Sequence, residues 1–178
     1  MKVFKFGGAS ISSDDRFRNT ARIIDSAKQD KLMIVISAMG KTTNALETVA
    51  QDFFEGRREA ALSGFESLKT QHRAVLESLV PNDEEGKQKL QDIFTEIEWL
   101  LHDKPVRAFD YYYDQIVCCG ELLSSLILYR FLESQKMNCR WTDARDIIRT
   151  DNNFREGQVD WDVTASQITN RIKPLFNN

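Results

Sequence analysis

The chain has 178 residues, 42% hydrophobic and 29% charged, with a formal net charge of -3. That is enough to bury a core of its own. It lacks the clustered basic charge of a nucleic-acid binder, so no nucleic-acid partner is expected. Its uninterrupted apolar runs are shorter than a membrane span, so no membrane association is expected either.

The N-terminus enters a strand pattern at once. Val3, Phe4 and Phe6 alternate with Lys2 and Lys5, and no leader with an apolar h-region precedes them. "ISSDDRFRNTARIIDSAKQ" then reads as a helix. Ser12 or Ser13 can cap it, Asp14 and Asp15 suit the positive end of its dipole, and Phe17, Ala21 and Ile24 share one face. "KLMIVIS" is a continuous apolar run of strand length, expected to be buried on both faces. Strand, helix, strand is the start of a βαβ unit in a parallel sheet.

"TTNALETVAQDFFEG" follows as a second helix, and from about Glu59 the chain turns strongly helical. Two long amphipathic helices are separated by Pro81-Asn82, and the second ends before Pro105. Leu90, Ile93, Phe94, Ile97, Leu100 and Leu101 follow its helical spacing. A third helical run covers about Tyr112 to Ser134. Strand character returns at "NCRWTD" and briefly at "DIIRTD", and a last helix is expected over Asp162–Phe176. The stretch of about 58–135 thus reads as a helical subdomain inserted between early and late strands. A final helix with so few strands beside it suggests a piece of a longer protein.

Three segments carry possible chemistry. In "KFGGAS", Gly7 and Gly8 let the backbone approach a ligand at the carboxyl end of a strand, and Lys5 adds a full charge. The segment suits a phosphate, or it is a plain turn beside an exposed lysine. In "SAMGKTTN" a P-loop is excluded, because Val35 stands where that motif needs its first glycine. Ser37, Gly40, Thr42 and Thr43 remain at a strand end, with Thr42 or Thr43 expected to cap the next helix. In "QIVCCGELLSS", Glu121 lies in an apolar helical stretch, so it either faces solvent or meets a cation. The cysteines are Cys118, Cys119 and Cys139, an odd number that suggests no disulfide framework and fits a reducing cytoplasm. Cys118 and Cys119 read as small core residues. His72 and His102 read as isolated surface histidines, and no transition-metal or calcium spacing occurs.

Taken together, these segments resemble the aspartate kinases of the amino-acid kinase family. "VFKFGGASI" resembles their K-F-G-G-[TS]-S opening, with Ala9 where Thr or Ser is usual. "VISAMGKTTN" resembles S-A-M-G-x-[ST]-[TN], "GELLSS" resembles G-E-x-x-S, and "DARDIIRTDNNFREGQVD" resembles D-x-R-x-x-[IL]-x-T-[DN]-x-x-F. The resemblance implies an α/β fold, an αβα sandwich of the carbamate kinase-like type with a mostly parallel sheet, incomplete here. It implies ATP-dependent phosphorylation of the side-chain carboxylate of L-aspartate, the first step of lysine, threonine and methionine biosynthesis, in a cytoplasmic homo-oligomer.

In that family the motif lysine steadies the phosphates, which places Lys5 in that role. Phe6, Gly7, Gly8, Ser10 and Ser37 fall on the nucleotide side, and Thr43 and Glu121 on the aspartate side. ATP and Mg²⁺ are the implied cofactors, with no metal ligand expected among these residues. The family's later T-T-L-G-R-G-G-S-D-Y segment, nucleotide lobe and regulatory ACT domains are absent, so the 178 residues alone are expected to be inactive. The alternatives are another kinase of this fold, acting on glutamate, acetylglutamate or carbamate, and a non-catalytic binding module.

Overall fold

The computed structural model describes residues 1–176, which divide into one unit over residues 1–140 and a second from residue 141 onward. In the first unit, strand β1 (Lys2–Phe6) pairs in parallel with β2 (Leu32–Ile36), Lys5 facing Val35 in the register. Helix α1 (Asp14–Ser26) joins them, giving the expected βαβ unit. Its N-cap is Ser13, whose hydroxyl accepts from Arg16 N at 3.4 Å, and Asp14 and Asp15 follow in the first turn. Phe17, Ala21 and Ile24 are all buried, as their spacing predicts.

The expectation that β2 is covered on both faces does not hold. Paired residues of a parallel ladder share a face, and the face carrying Val3, Lys5 and Val35 is open. Val3 is 57% exposed and Val35 45%. Among the described residues the sheet has two strands, so no further strand or helix layer covers that side.

Helices supply most of the core. Helix α2 (Thr42–Phe54) leads into the antiparallel pair α3 (Arg58–Leu79) and α4 (Glu84–His102). Phe65 and Phe94 meet edge-to-face between α3 and α4, ring centroids 6.1 Å apart. Of the α4 stripe, Leu90, Ile93, Phe94, Ile97 and Leu101 are buried and Leu100 is half-buried. Asp83 caps α4 by accepting from Gly86 N at 3.0 Å. The same carboxylate receives Arg130 bidentately, at 2.6 and 2.8 Å.

The third helical run is two helices, α5 (Phe109–Val117) and α6 (Cys119–Ser134), meeting at Cys118. Taken as one stretch, 109–134 is apolar and long enough to cross a membrane, contrary to the estimate from uninterrupted runs. However, 67% of its apolar window is buried inside the unit, which makes it a core element. α6 shows this directly, with Leu122, Leu123, Leu126, Ile127, Leu128, Phe131 and Leu132 all buried.

His72 corrects another expectation. It is fully buried in α3, its Nδ1 is 2.7 Å from Leu68 O, and Nε2 has no partner. Burial pushes its pKa below the ordinary histidine value, against the smaller opposing effect of the Leu68 carbonyl. His102 is exposed, as expected.

From residue 138 onward the predicted strands do not form. "NCRWTD" is irregular, and "DIIRTD" contributes one isolated antiparallel bridge, Thr150 to Val159. A strand needs a neighbour to take its backbone hydrogen bonds, and beyond that bridge the segment finds turns instead. Asp151 accepts from Asn153 N and Gln158 N at 3.1 and 3.0 Å, closing the turn. Asp160 caps helix α7 (Trp161–Gln167) by accepting from Val163 N at 3.0 Å. The expected last helix is regular only over this part. It continues as a wider turn, Ile168–Ile172, and a tighter one, Lys173–Phe176.

Candidate active site at the carboxyl ends of the strands

Both strands of the βαβ unit end at one edge, where open α/β sheets hold their ligands. After β1, Gly7 is extended and Gly8–Ile11 forms a single 3-10 turn. Lys5 is exposed, and its Nζ lies 3.5 Å from the point a Cβ on Gly7 would occupy. The ammonium thus leans over the glycine backbone, close to where that backbone can meet a ligand.

The loops after the two strands are tied together. Ser37 N donates to Phe6 O at 3.0 Å, and Gly40 N donates to Gly8 O at 3.1 Å. A Cβ on Gly8 would lie 2.6 Å from Ala38 O, a distance real side chains do not reach. Gly8 therefore owes its place to close backbone approach. Gly40 has φ of +56°, which turns the chain from the loop into α2.

The α2 N-terminus differs from the expected cap. Lys41 is the capping position and makes no side-chain cap bond, while Thr42 and Thr43 are the first helical residues. Thr42 is 2% exposed, and its Oγ1 is buried without a partner. Its methyl side faces α6: a Cβ on Gly120 would lie 3.3 Å from Thr42 Cγ2 and 2.9 Å from Ala38 Cβ. Thr43, one residue on, is half-buried.

Glu121 resolves differently from either option read in the sequence. It is half-buried, and its Oε1 accepts from Ala38 N at 3.2 Å. The partner is a backbone N–H of the β2 loop, not a cation, and a carboxylate has further lone pairs to offer. Ser124, fully buried three residues later, donates to Ser37 O at 2.7 Å. Ser124 stands in the "GELLSS" string, which by itself gives it no role. Its spacing of three from Glu121, which puts both on one helix face, was the available signal.

The structure thus brings Lys5, Gly7, Gly8, Ser37 and Glu121 to connected loops, with Thr43 at the adjoining helix start. Phe6 takes part through its backbone carbonyl, and its side chain is buried in the core. Ser10 spends its N–H on Gly7 O at 2.8 Å and its carbonyl on the Thr20 hydroxyl at 3.1 Å. Two surface clefts lie elsewhere. They lie on the helical surface, one lined by Arg73, Glu77, Glu84 and Lys87, the other by Thr48, Asp52, Gly64 and Gln71.

A phosphate suits the Lys5 ammonium and the Gly7 backbone beside it, whereas the side-chain space of Gly8 is taken by the Ala38 and Gly40 carbonyl oxygens. Among the described residues no three acidic, cysteine or histidine side chains converge.

The amino acid kinase family model matches residues 1–177 of the chain. Lysine-sensitive aspartokinase 3 of Escherichia coli is 27% identical over 176 residues, covering 98% of this chain and 38% of that protein. The chloroplastic bifunctional aspartokinase/homoserine dehydrogenase 1 of Arabidopsis thaliana is 28% identical over 172 residues, covering 93% of this chain and 18% of that protein. Among solved structures, E. coli aspartokinase III in complex with aspartate and ADP, in its R-state, superposes with a TM-score of 0.79 at 27% identity. That match covers 98% of this chain and 38% of the other. The chain therefore spans less than two-fifths of these relatives. The likeness bears out the α/β fold of the amino-acid kinase type expected from the motifs.

Proposed function

Since the chain belongs to the amino acid kinase family, we propose that it supplies the amino-acid side of an aspartokinase, within a longer protein. That protein would transfer the γ-phosphoryl group of ATP to the side-chain carboxylate of L-aspartate, forming 4-phospho-L-aspartate and ADP. The observation that carries this reading is the meeting of the Lys5–Gly8 loop, the Ser37–Gly40 loop and Glu121 at one strand edge.

The chemistry suits those groups. One carboxylate oxygen forms a bond to the γ-phosphorus while the bond from that phosphorus to the β,γ-bridging oxygen breaks, its electrons leaving with ADP. A carboxylate is already ionised at neutral pH, so no general base is needed. The obstacle is repulsion between two anions, and the protein's task is placement and neutralisation. Lys5 would set its ammonium beside the transferring phosphoryl group, with the Gly7–Gly8 backbone close by.

On the other side, Glu121 would use its remaining carboxylate oxygen on the ammonium of aspartate, and the Thr43 hydroxyl would add a hydrogen bond. Mg²⁺ would supply further charge neutralisation on the phosphates, and the residues described here offer it no site of their own. The 178 residues alone are expected not to turn over. The odd number of cysteines, two of them adjacent, fits a reducing compartment, taken to be the cytoplasm, and a homo-oligomer is the assembly proposed.

A hydroxylamine trap for acyl phosphate, run on the protein that carries this chain, tests the reading. ATP-dependent hydroxamate should form with L-aspartate and stay at background with glutamate, acetylglutamate and carbamate. Signal with one of the others instead would move the chain to another branch of the family.

A further inference from the structure

The two α6 side chains that reach the β2 loop meet the same peptide unit. Ser124 Oγ donates to the carbonyl oxygen of Ser37, at 2.7 Å, and Glu121 Oε1 accepts from the N–H of Ala38, at 3.2 Å. These are the two polar groups of the single Ser37–Ala38 peptide bond. The surroundings leave the peptide little water: Ser124 is 0% exposed and Ala38 3%. Ser124 Oγ also lies 2.9 Å from Gly120 O and 3.3 Å from Glu121 O, within its own helix. The loop carbonyl is the shortest of the three contacts.

We infer that Ser124 is a positioning residue that acts through this peptide on both halves of the site, an inference that rests on the aspartokinase reading above. The geometry works in two directions. Toward the amino-acid side, holding the Ser37 carbonyl fixes the plane of the peptide, and hence the direction in which Ala38 N–H points. That N–H anchors one oxygen of Glu121 and so aims the other. A buried amide left without its carboxylate, or a carbonyl without its hydroxyl, loses a bond that water does not replace. Toward the phosphate side, Ala38 O belongs to the next peptide unit, hinged on the Ala38 Cα, and stands against Gly8, 2.6 Å from where a Cβ there would be. Holding the Ser37–Ala38 peptide fixes one side of that Cα and so limits how the Ala38 carbonyl meets the loop that Lys5 overhangs.

Bringing α6 this near requires Gly120, since a Cβ there would lie 2.9 Å from Ala38 Cβ. One turn of α6 therefore supplies a clearance and two grips, at positions 120, 121 and 124.

The test is a double-mutant cycle with a spectroscopic arm, in the protein that carries this chain. Ser124→Ala should lower kcat/KM for aspartate by about tenfold, the scale of one buried hydrogen bond. Made on top of Glu121→Ala it should cost less than about threefold more, since the carboxylate it aims is already gone. Full additivity would overturn the inference, because a merely structural serine has no reason to depend on Glu121.

The second arm follows the Ala38 amide by ¹⁵N NMR. Glu121→Ala should move its resonance, since the amide loses its acceptor. Ser124→Ala should move the resonance as well, and an Ala38 amide indifferent to Ser124 would overturn the inference. Ser124→Cys, nearer in size and a weaker donor, covers the case in which the alanine variant does not fold. It should fall between serine and alanine in the NMR arm, and a Cys variant matching the unaltered protein there would contradict the clasp. Should the unaltered protein phosphorylate no aspartate, the aspartokinase reading fails, and the NMR arm still decides whether the clasp exists.

Discussion

At the scale of single residues, small substitutions at the strand edge separate packing from chemistry. Gly8→Ala places a methyl group 2.6 Å from the backbone oxygen of Ala38 and 3.0 Å from that of Gly40, so one of the two loops must move. It is expected to lower the thermal midpoint by several degrees and to reduce turnover strongly. Unchanged stability and activity would show that the loops are not held as described. Gly7→Ala meets only the far end of a flexible lysine, 3.5 Å away, and should be the milder change for folding.

These roles were partly legible in the sequence. Lys5, Gly8 and Glu121 stand in recognisable strings, whereas the partner of Glu121 is a backbone amide 83 residues away, which has no letter of its own. Thr42 misled for a related reason. A threonine at a helix start usually caps it, but here the first turn is pressed against α6, and the hydroxyl is buried instead.

At the scale of elements, two buried titratable groups in the helical part, Asp83 and His72, set the response to acid. Arg130 holds the Asp83 carboxyl below the usual carboxylate range, chiefly through their side-chain hydrogen bonds. The side chains are 5% and 12% exposed, so solvent screens the pair weakly. Asp83→Asn leaves the guanidinium only the more exposed carboxylates of Glu85 and Glu133, at 3.1 and 2.6 Å, and should cost about 2 kcal/mol in chemical denaturation. A loss below about 1 kcal/mol would show that the pair is weaker than its geometry implies.

His72 acts at higher pH. Its native pKa is lowered, so below about 6.5 the unfolded chain takes up a proton that the folded chain resists. The contribution of His72 is therefore fully present above that pH and falls as pH drops toward the lowered native value. Asp83, also lowered, adds its loss only below about pH 4. Denaturation midpoints should fall between pH 7.5 and 5.5, and His72→Leu should remove that fall. A variant with the same pH slope would place the titration elsewhere. The sequence did carry a signal for His72: it occupies a helix face whose other members, Leu68, Leu76 and Leu79, are apolar, which is the placement of a core residue.

At the scale of the whole molecule, the described sheet presents Val3, Lys5 and Val35 on an open face, with both strand edges unpaired in the ladder. Such edges and faces invite association. The 178-residue chain by itself should show concentration-dependent association in sedimentation, weakened by Val3→Glu with Val35→Glu. A monomer at every concentration would contradict this. The βαβ start and the long helices were readable from periodicity, because local pattern sets them. Strand burial and the second unit were not, because a run such as "DIIRTD" becomes a strand only when a neighbour is there to pair with it.

The central claim is a division of labour at one strand edge, with Lys5 serving the phosphate and Glu121 the amino acid. Steady-state kinetics of Lys5→Ala and Glu121→Ala, in the protein that carries this chain, test it most directly. Lys5→Ala should lower kcat by about a hundredfold or more with a small change in KM for aspartate. Glu121→Ala should raise KM for aspartate by about tenfold or more and leave kcat nearer its starting value. The reverse pattern, with Glu121 controlling kcat and Lys5 controlling aspartate KM, would contradict the account.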